Sequence, residues 1–168
     1  DDYASGSRAA LVGGTTTLIE MCCPSRGENA LEAFELWKSK ADGVSACDYT
    51  FHMAVSKFDS QAEAELREIV KRGISSFKVF LAYKGFFSVD DDELYQTLKL
   101  AKELGVIVTA HCENETMVAR KQQELIASGM TGPQWHEPSR PTVVEASGVE
   151  HLLRFAELTD ASVYIVHT

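Results

Sequence analysis

An alternating α/β chain wound on a parallel sheet, and within that class an incomplete (β/α)8 barrel, is the fold predicted by three observations. Five short apolar runs alternate with stretches of helical periodicity along the 168 residues. The turn after the first run, Cys22-Cys23-Pro24-Ser25-Arg26-Gly27, is not the glycine-rich turn that a doubly wound dinucleotide-binding sheet wants. Lys78, His111 and His167 fall toward the C-terminal ends of different runs, where a barrel gathers its active-site groups.

Each element has its own signature. Thr15 to Met21 is β-branched and apolar, and Asn29 to Ala41 carries Leu31, Phe34 and Trp37 near helical spacing with charges between them. Asp48 to Val55 reads as the second strand, and Ser60 to Arg72 as an amphipathic helix stopped by Gly73. Phe77 to Leu81 is the third strand. Asp91 to Leu104 follows as a helix with acids in its first turn, lysines later and Gly105 just beyond its end. Val106 to Cys112 precedes a helix from about Glu115 to Ser128, and Gly129 to Pro141 carries the marks of a loop, Gly132-Pro133 and Ser139-Arg140-Pro141 among them. Thr142 to Leu158 is helical, and Val163 to His167 is the last strand.

Strands alternating with helices imply right-handed crossovers on a parallel sheet. A complete barrel typically takes ~250 residues, so residues 1–168 are expected to form one partial barrel domain of about five consecutive βα units, an internal stretch without the first and last barrel strands. The chain starts Asp1-Asp2 and stops at Thr168 directly after a strand, which fits that expectation.

A hydrophobic content of 45% supports a sizeable core, and a formal charge of -9 argues against non-specific binding to nucleic acid or anionic membrane. No run is long or apolar enough for a transmembrane helix. Cys22, Cys23, Cys47 and Cys112 lack the spacing of a zinc knuckle or a disulfide framework, and point to a reduced, cytoplasmic setting.

The most telling residue is Lys78, inside Ser75-Ser76-Phe77-Lys78-Val79-Phe80-Leu81-Ala82-Tyr83. An ammonium in so apolar a run loses hydration and needs a partner or a chemical change to be tolerated. A lone strand lysine more often snorkels to solvent, and a lone strand-end histidine is more often a hydrogen-bonded core residue. One lysine and two histidines in register change those odds and suggest a metal site. His52 is expected to be structural, and His136 and His151, in a loop and a helix, to be non-catalytic. The charges of Glu63, Glu65, Arg67 and Glu68 read as a solvated helix face.

Five segments carry a resemblance: Gly13-Gly14-Thr15-Thr16-Thr17, Ser76-Phe77-Lys78-Val79-Phe80-Leu81-Ala82-Tyr83-Lys84, His111-Cys112-Glu113-Asn114, Thr131-Gly132-Pro133 and Ser139-Arg140-Pro141. In order and spacing, from one end of the chain to the other, they resemble the dihydropyrimidinase and hydantoinase branch of the cyclic amidohydrolases. The resemblance implies a TIM-like barrel with two divalent metal ions, usually zinc, bridged by a carboxylated lysine. Carried over by position, Lys78 is the bridging carbamate, His111 and His167 are ligands of one metal, and Tyr83 is the substrate-polarising hydroxyl. It implies hydrolysis of dihydropyrimidines or 5-substituted hydantoins to N-carbamoyl amino acids by a metal-bridging hydroxide. It further implies a homo-oligomer, tetramer or dimer, and a place in pyrimidine catabolism.

The family also uses a His-x-His pair after the first barrel strand and an aspartate after the last. Neither occurs here, so the 168 residues alone are expected to be inactive, with those ligands lying upstream of Asp1 and downstream of Thr168. Cys112 stands where the family often has alanine; on a strand it should point away from His111, toward the helices, in a packing role. The chemistry of the carry-over is consistent, because a carbamate turns a cationic side chain into a two-oxygen anion able to bridge two cations. Lys84, in the loop after the strand, suits that role less well. Non-enzymatic relatives such as the collapsin-response-mediator proteins keep the fold without the metal ligands. The presence of Lys78, His111 and His167 favours the enzyme, and the Ala82-Tyr83-Lys84 and Thr131-Gly132-Pro133 segments favour dihydropyrimidinase over allantoinase or dihydroorotase.

Overall fold

The computed structural model describes residues 1–168. Helix α1 (Tyr3–Val12) leads into β1 (Thr17–Cys22), α2 (Ala30–Ala41), β2 (Asp48–Ala54), α3 (Ser60–Lys71), β3 (Ser76–Phe80), α4 (Asp91–Leu104), β4 (Ile107–His111) and α5 (Glu115–Ala127). A 3-10 turn (Pro133–Trp135), the one-turn α6 (His136–Ser139), α7 (Thr142–Thr159) and β5 (Val163–Ile165) complete the chain. All four strand pairings are parallel, and the order in the sheet is the order in the chain. A doubly wound sheet reverses its strand order at a switch point. This one never reverses, which is how a barrel is wound.

Local chemistry explains where the helices begin. The side chains of Asn29, Asp59, Asp90 and Asn114 each accept a hydrogen bond from a first-turn amide of α2, α3, α4 and α5. Asp90 and Glu93 form a reciprocal capping box, and α4 stops at Gly105, whose left-handed backbone (φ 68) satisfies its last carbonyls. The helices cover one face of the sheet: Phe34, Leu66, Ile69, Leu98 and Leu152 pack on Phe51, Met53, Phe77, Val79, Val108 and Ala110.

Register assigns the other face. Lys78 lies opposite Ala54 and Thr109, and Phe80 opposite His111, so alternation puts Ser76, Lys78, Phe80, Ile107, Thr109 and His111 on the inner face. Phe77, Val79, Ala110 and Cys112 point outward into the helical core, as alternation predicts. Ile19 and Tyr164, on the two edge strands, stand on the inner face at 51% and 59% exposure, whereas Ser76, Lys78, Thr109 and His111 on the central strands are buried there.

The structure departs from the sequence reading at three places. Helix α1 forms ahead of the first predicted element, held by reciprocal bonds between Asp2 and Ser5 although it buries only Ser7. Within the expected loop from Gly129 to Pro141, Pro133 starts a 3-10 turn and α6 follows it. The last strand ends at Ile165 rather than His167, because His167 adopts a left-handed backbone (φ 43) that no strand accommodates.

Candidate metal and catalytic site

Lys78 does not snorkel: it is 1% exposed. Its Nζ lies 4.7 Å from the centroid of the Phe80 ring, and burial lowers its pKa to about 8, opposed only by the thiols of Cys112 and Cys23. No carboxylate stabilises the ammonium form. An uncompensated buried amine of this kind is the state that a chemical change to an anion would relieve.

His111 closes β4 beside Phe80, and its ring lies 4.8 Å from that of His167. Strict alternation from Tyr164, which faces inward opposite Thr109, would send His167 outward; the left-handed turn at His167 brings it back. Nδ1 of His111 and Nε2 of His167 thereby face each other at 2.9 Å. The opposite nitrogen of His111, Nε2, lies 2.6 Å from Oε2 of Glu113, and Arg140 donates to the same oxygen. Burial lowers the pKa of His111, with Glu113 partly countering it. Burial pushes the carboxyl of Glu113 up, but hydrogen bonds from Arg140 and His111 outweigh it and hold the group below its ordinary range. At neutral pH the pair is therefore a neutral imidazole and a carboxylate.

Tyr83 sits in the β3–α4 loop with a left-handed backbone (φ 72), its carbonyl accepting from the amides of Phe86 and Phe87. Three non-glycine residues have positive φ, and two of them are Tyr83 and His167. Backbone strain of this kind costs of order 1–3 kcal/mol per residue and persists where the surroundings enforce it, often at functional sites. The Tyr83 ring lies 5.2 Å from that of His111, with the Arg140 guanidinium 5.9 Å from its centroid. A cavity of about 300 Å³ is lined by Tyr83, His111, Glu113, His136, Arg140, Glu145 and His167. Lys78 lies outside that lining.

Sequence reasoning passed over Glu113 and Arg140 as functional groups, and set His136 aside although it borders the cavity. Glu113 had a local signal, since residues i and i+2 of a strand share a face and His111 is such a partner. Arg140 had none, because it reaches Glu113 across a 27-residue separation. His52 also faces inward, but its Nδ1 is engaged with the Ser76 hydroxyl at 2.6 Å, in keeping with a structural role.

No three His, Cys, Asp or Glu side chains converge as a metal-ready group in this chain. The donors present do fit a metal. Two imidazole nitrogens face each other at 2.9 Å, near the roughly 3.3 Å at which two nitrogens share a tetrahedral zinc. A carboxylate on the far nitrogen of one ring is the usual outer partner of a ligating histidine.

An amidohydrolase family model matches residues 1–158. The chain belongs to the amidohydrolase family. This amidohydrolase chain is 43% identical to the dihydropyrimidinase of Dictyostelium discoideum and 39% identical to the D-hydantoinase of Geobacillus stearothermophilus, each over 99% of its length. The alignments cover 33% and 36% of those proteins, so the chain spans about a third of the length of the curated relatives it matches. The solved D-hydantoinase (dihydropyrimidinase) from Thermus sp. superposes with a TM-score of 0.96 at 66% identity, over all of this chain and 37% of that one. The amidohydrolase sheet is thus the TIM-barrel sheet of the hydantoinases, in agreement with the sequence reading.

Proposed function

We propose that the protein carrying this chain hydrolyses the ring amide of dihydropyrimidines or 5-substituted hydantoins, giving N-carbamoyl amino acids. The observation that carries the reading is Lys78: a fully buried lysine without a carboxylate partner, on the face of the sheet that also bears His111. With a pKa near 8, roughly a tenth of such amines are neutral at pH 7, against about 0.03% for an ordinary lysine. The neutral amine can add to carbon dioxide, releasing one proton and leaving a carbamate.

In this reading Lys78, as carbamate, and the facing nitrogens of His111 and His167 would hold a pair of divalent cations, for which zinc suits the imidazole and oxygen donors. When bound, such a pair lowers the pKa of a water and polarises an amide carbonyl. Tyr83 borders the cavity with its ring beside His111, and its phenol is suited to donate to the oxygen on which negative charge develops. The surroundings that enforce the left-handed backbone of Tyr83 hold the ring there before substrate binds. We assign the remaining ligands, a His-x-His pair and an aspartate, to parts of the barrel outside these 168 residues, since the chain covers 37% of the matched hydantoinase.

No helix of the chain is long and apolar enough to cross a membrane, and all four cysteines are free. The free cysteines support the cytoplasmic placement. The expected assembly is a tetramer or dimer.

The test is made on the whole protein. Lys78→Ala should remove bound metal and ring-opening activity toward dihydrouracil and hydantoin, with partial recovery on adding short-chain carboxylates. Electron density for an unmodified ammonium at Lys78 in an active, metal-replete crystal would overturn the reading.

A further inference from the structure

We infer that Glu113 and Arg140 form a positioning pair that decides which nitrogen of His111 is available to a cation. The inference deepens the metal-site reading above and rests on it.

Valence fixes where the proton of His111 sits. Glu113 is held by Arg140, and both side chains are largely buried, at 12% and 18% exposure. A carboxylate paired with a guanidinium has no proton to give, so it can only accept. The contact between its Oε2 and Nε2 of His111, 2.6 Å long, therefore requires the proton to sit on Nε2. A neutral imidazole carries one N–H. Its Nδ1 is then the bare nitrogen, and Nδ1 is the atom that faces Nε2 of His167 at 2.9 Å. Without a cation, His167 donates to that lone pair. With one, both nitrogens can turn lone pairs toward it once His167 carries its proton on Nδ1.

Arg140 acts through Glu113. It follows α6 in the segment leading to α7, and its guanidinium also lies 5.9 Å from the Tyr83 ring centroid. One arginine thus ties the ligand's outer partner to the residue proposed to polarise substrate. A plain salt bridge holding α6 to the sheet would show the same contacts, but it predicts a different outcome when the pair is replaced. Swapping a buried ion pair for apolar side chains of similar volume is often neutral for folding. Loss of the outer partner of a ligating histidine typically weakens metal binding by 10–100-fold.

The experiment compares the whole parent protein with Glu113→Gln and with the double variant Glu113→Leu/Arg140→Met. Co2+ affinity is read by chelator competition, and the visible absorption of the cobalt site reports ligand geometry. The double variant should remain folded without metal, bind Co2+ about 10–100-fold more weakly and show an altered cobalt spectrum. Glu113→Gln keeps an acceptor for Nε2 and should recover most of the affinity. A double variant with the parent's affinity and spectrum would overturn the positioning role and leave the metal site standing. A parent that binds no stoichiometric divalent cation would instead overturn the functional reading, and the positioning role with it.

Discussion

Burying an ammonium group without a counter-charge raises the free energy of the folded state, and Lys78 is such a group. Its pKa falls from 10.5 to about 8 on folding, so between those values the unfolded chain binds more protons than the folded one. Stability must then rise with pH across that window, and the full penalty is present below it. A shift of this size corresponds to a cost on the order of 3 kcal/mol at pH 7. Lys78→Met should therefore stabilise the metal-free protein by that order at pH 7 when carbon dioxide is excluded, with the gain fading as pH approaches 10.5. Urea unfolding at pH 7 and pH 10 checks both parts. A gain that is the same at both pH values would place its origin in packing rather than charge. The same variant should be inactive, so a residue that weakens the fold would be kept for its chemistry.

At the scale of elements, the site depends on how closely α7 approaches the end of β4. Gly148 lies mid-helix, and a Cβ placed there would come within 2.6 Å of the Cys112 carbonyl carbon and 2.7 Å of the Glu113 amide. Those neighbours are backbone and cannot turn aside. Asn114 fastens the same junction, donating from its amide to the Val144 carbonyl and from its side chain to the Ser147 hydroxyl. Gly148→Ala would gain ~1 kcal/mol in helix propensity but face an overpacking cost of about 1–3 kcal/mol. The expected result is a net loss of stability in chemical denaturation, with weaker cation binding because Glu113 moves. An unchanged urea midpoint would show that α7 can shift freely and that the contact is not tight. Periodicity marks Thr142 to Leu158 as a helix but does not say which residue must be small. That follows only from the distance between two elements.

For the molecule as a whole, what could be read from sequence divides by range. The strand–helix alternation and the glycine stops at Gly73 and Gly105 are local and legible, because side-chain period and capping chemistry act within a few residues; the face shared by Lys78 and His111 also needs the register between β3 and β4. His167 was expected at the end of the last strand, but the strand stops at Ile165; strict alternation would send His167 outward, and a left-handed turn at the residue itself returns it. Arg140 and Arg26 were illegible as site builders because their partners lie far off in the chain. Arg26, after β1, donates to the carbonyls of Ser56 and Ser88 at 2.5 and 2.8 Å, and pairs with Glu93 at 2.6 Å. It thereby ties together the loops that follow β1, β2 and β3, the last of which carries Tyr83.

Glu93, at 11% side-chain exposure, has little water to fall back on if that arginine is removed. It retains only the amides of Asp90 and Phe58, and the two carbonyls lose their shared donor. Arg26→Met should cost about 1–3 kcal/mol and should loosen the rim selectively. Amide exchange should quicken at Val89, whose N–H bonds the Phe80 carbonyl where the Tyr83 loop closes, more than at Val108 in the sheet. Because the Tyr83 backbone is strained, a loop released from Arg26 has a lower-energy conformation to relax into, carrying the phenol away from His111. Uniform acceleration of exchange across the chain would mean that Arg26 serves global stability alone, and the proposed link from rim to site would fall.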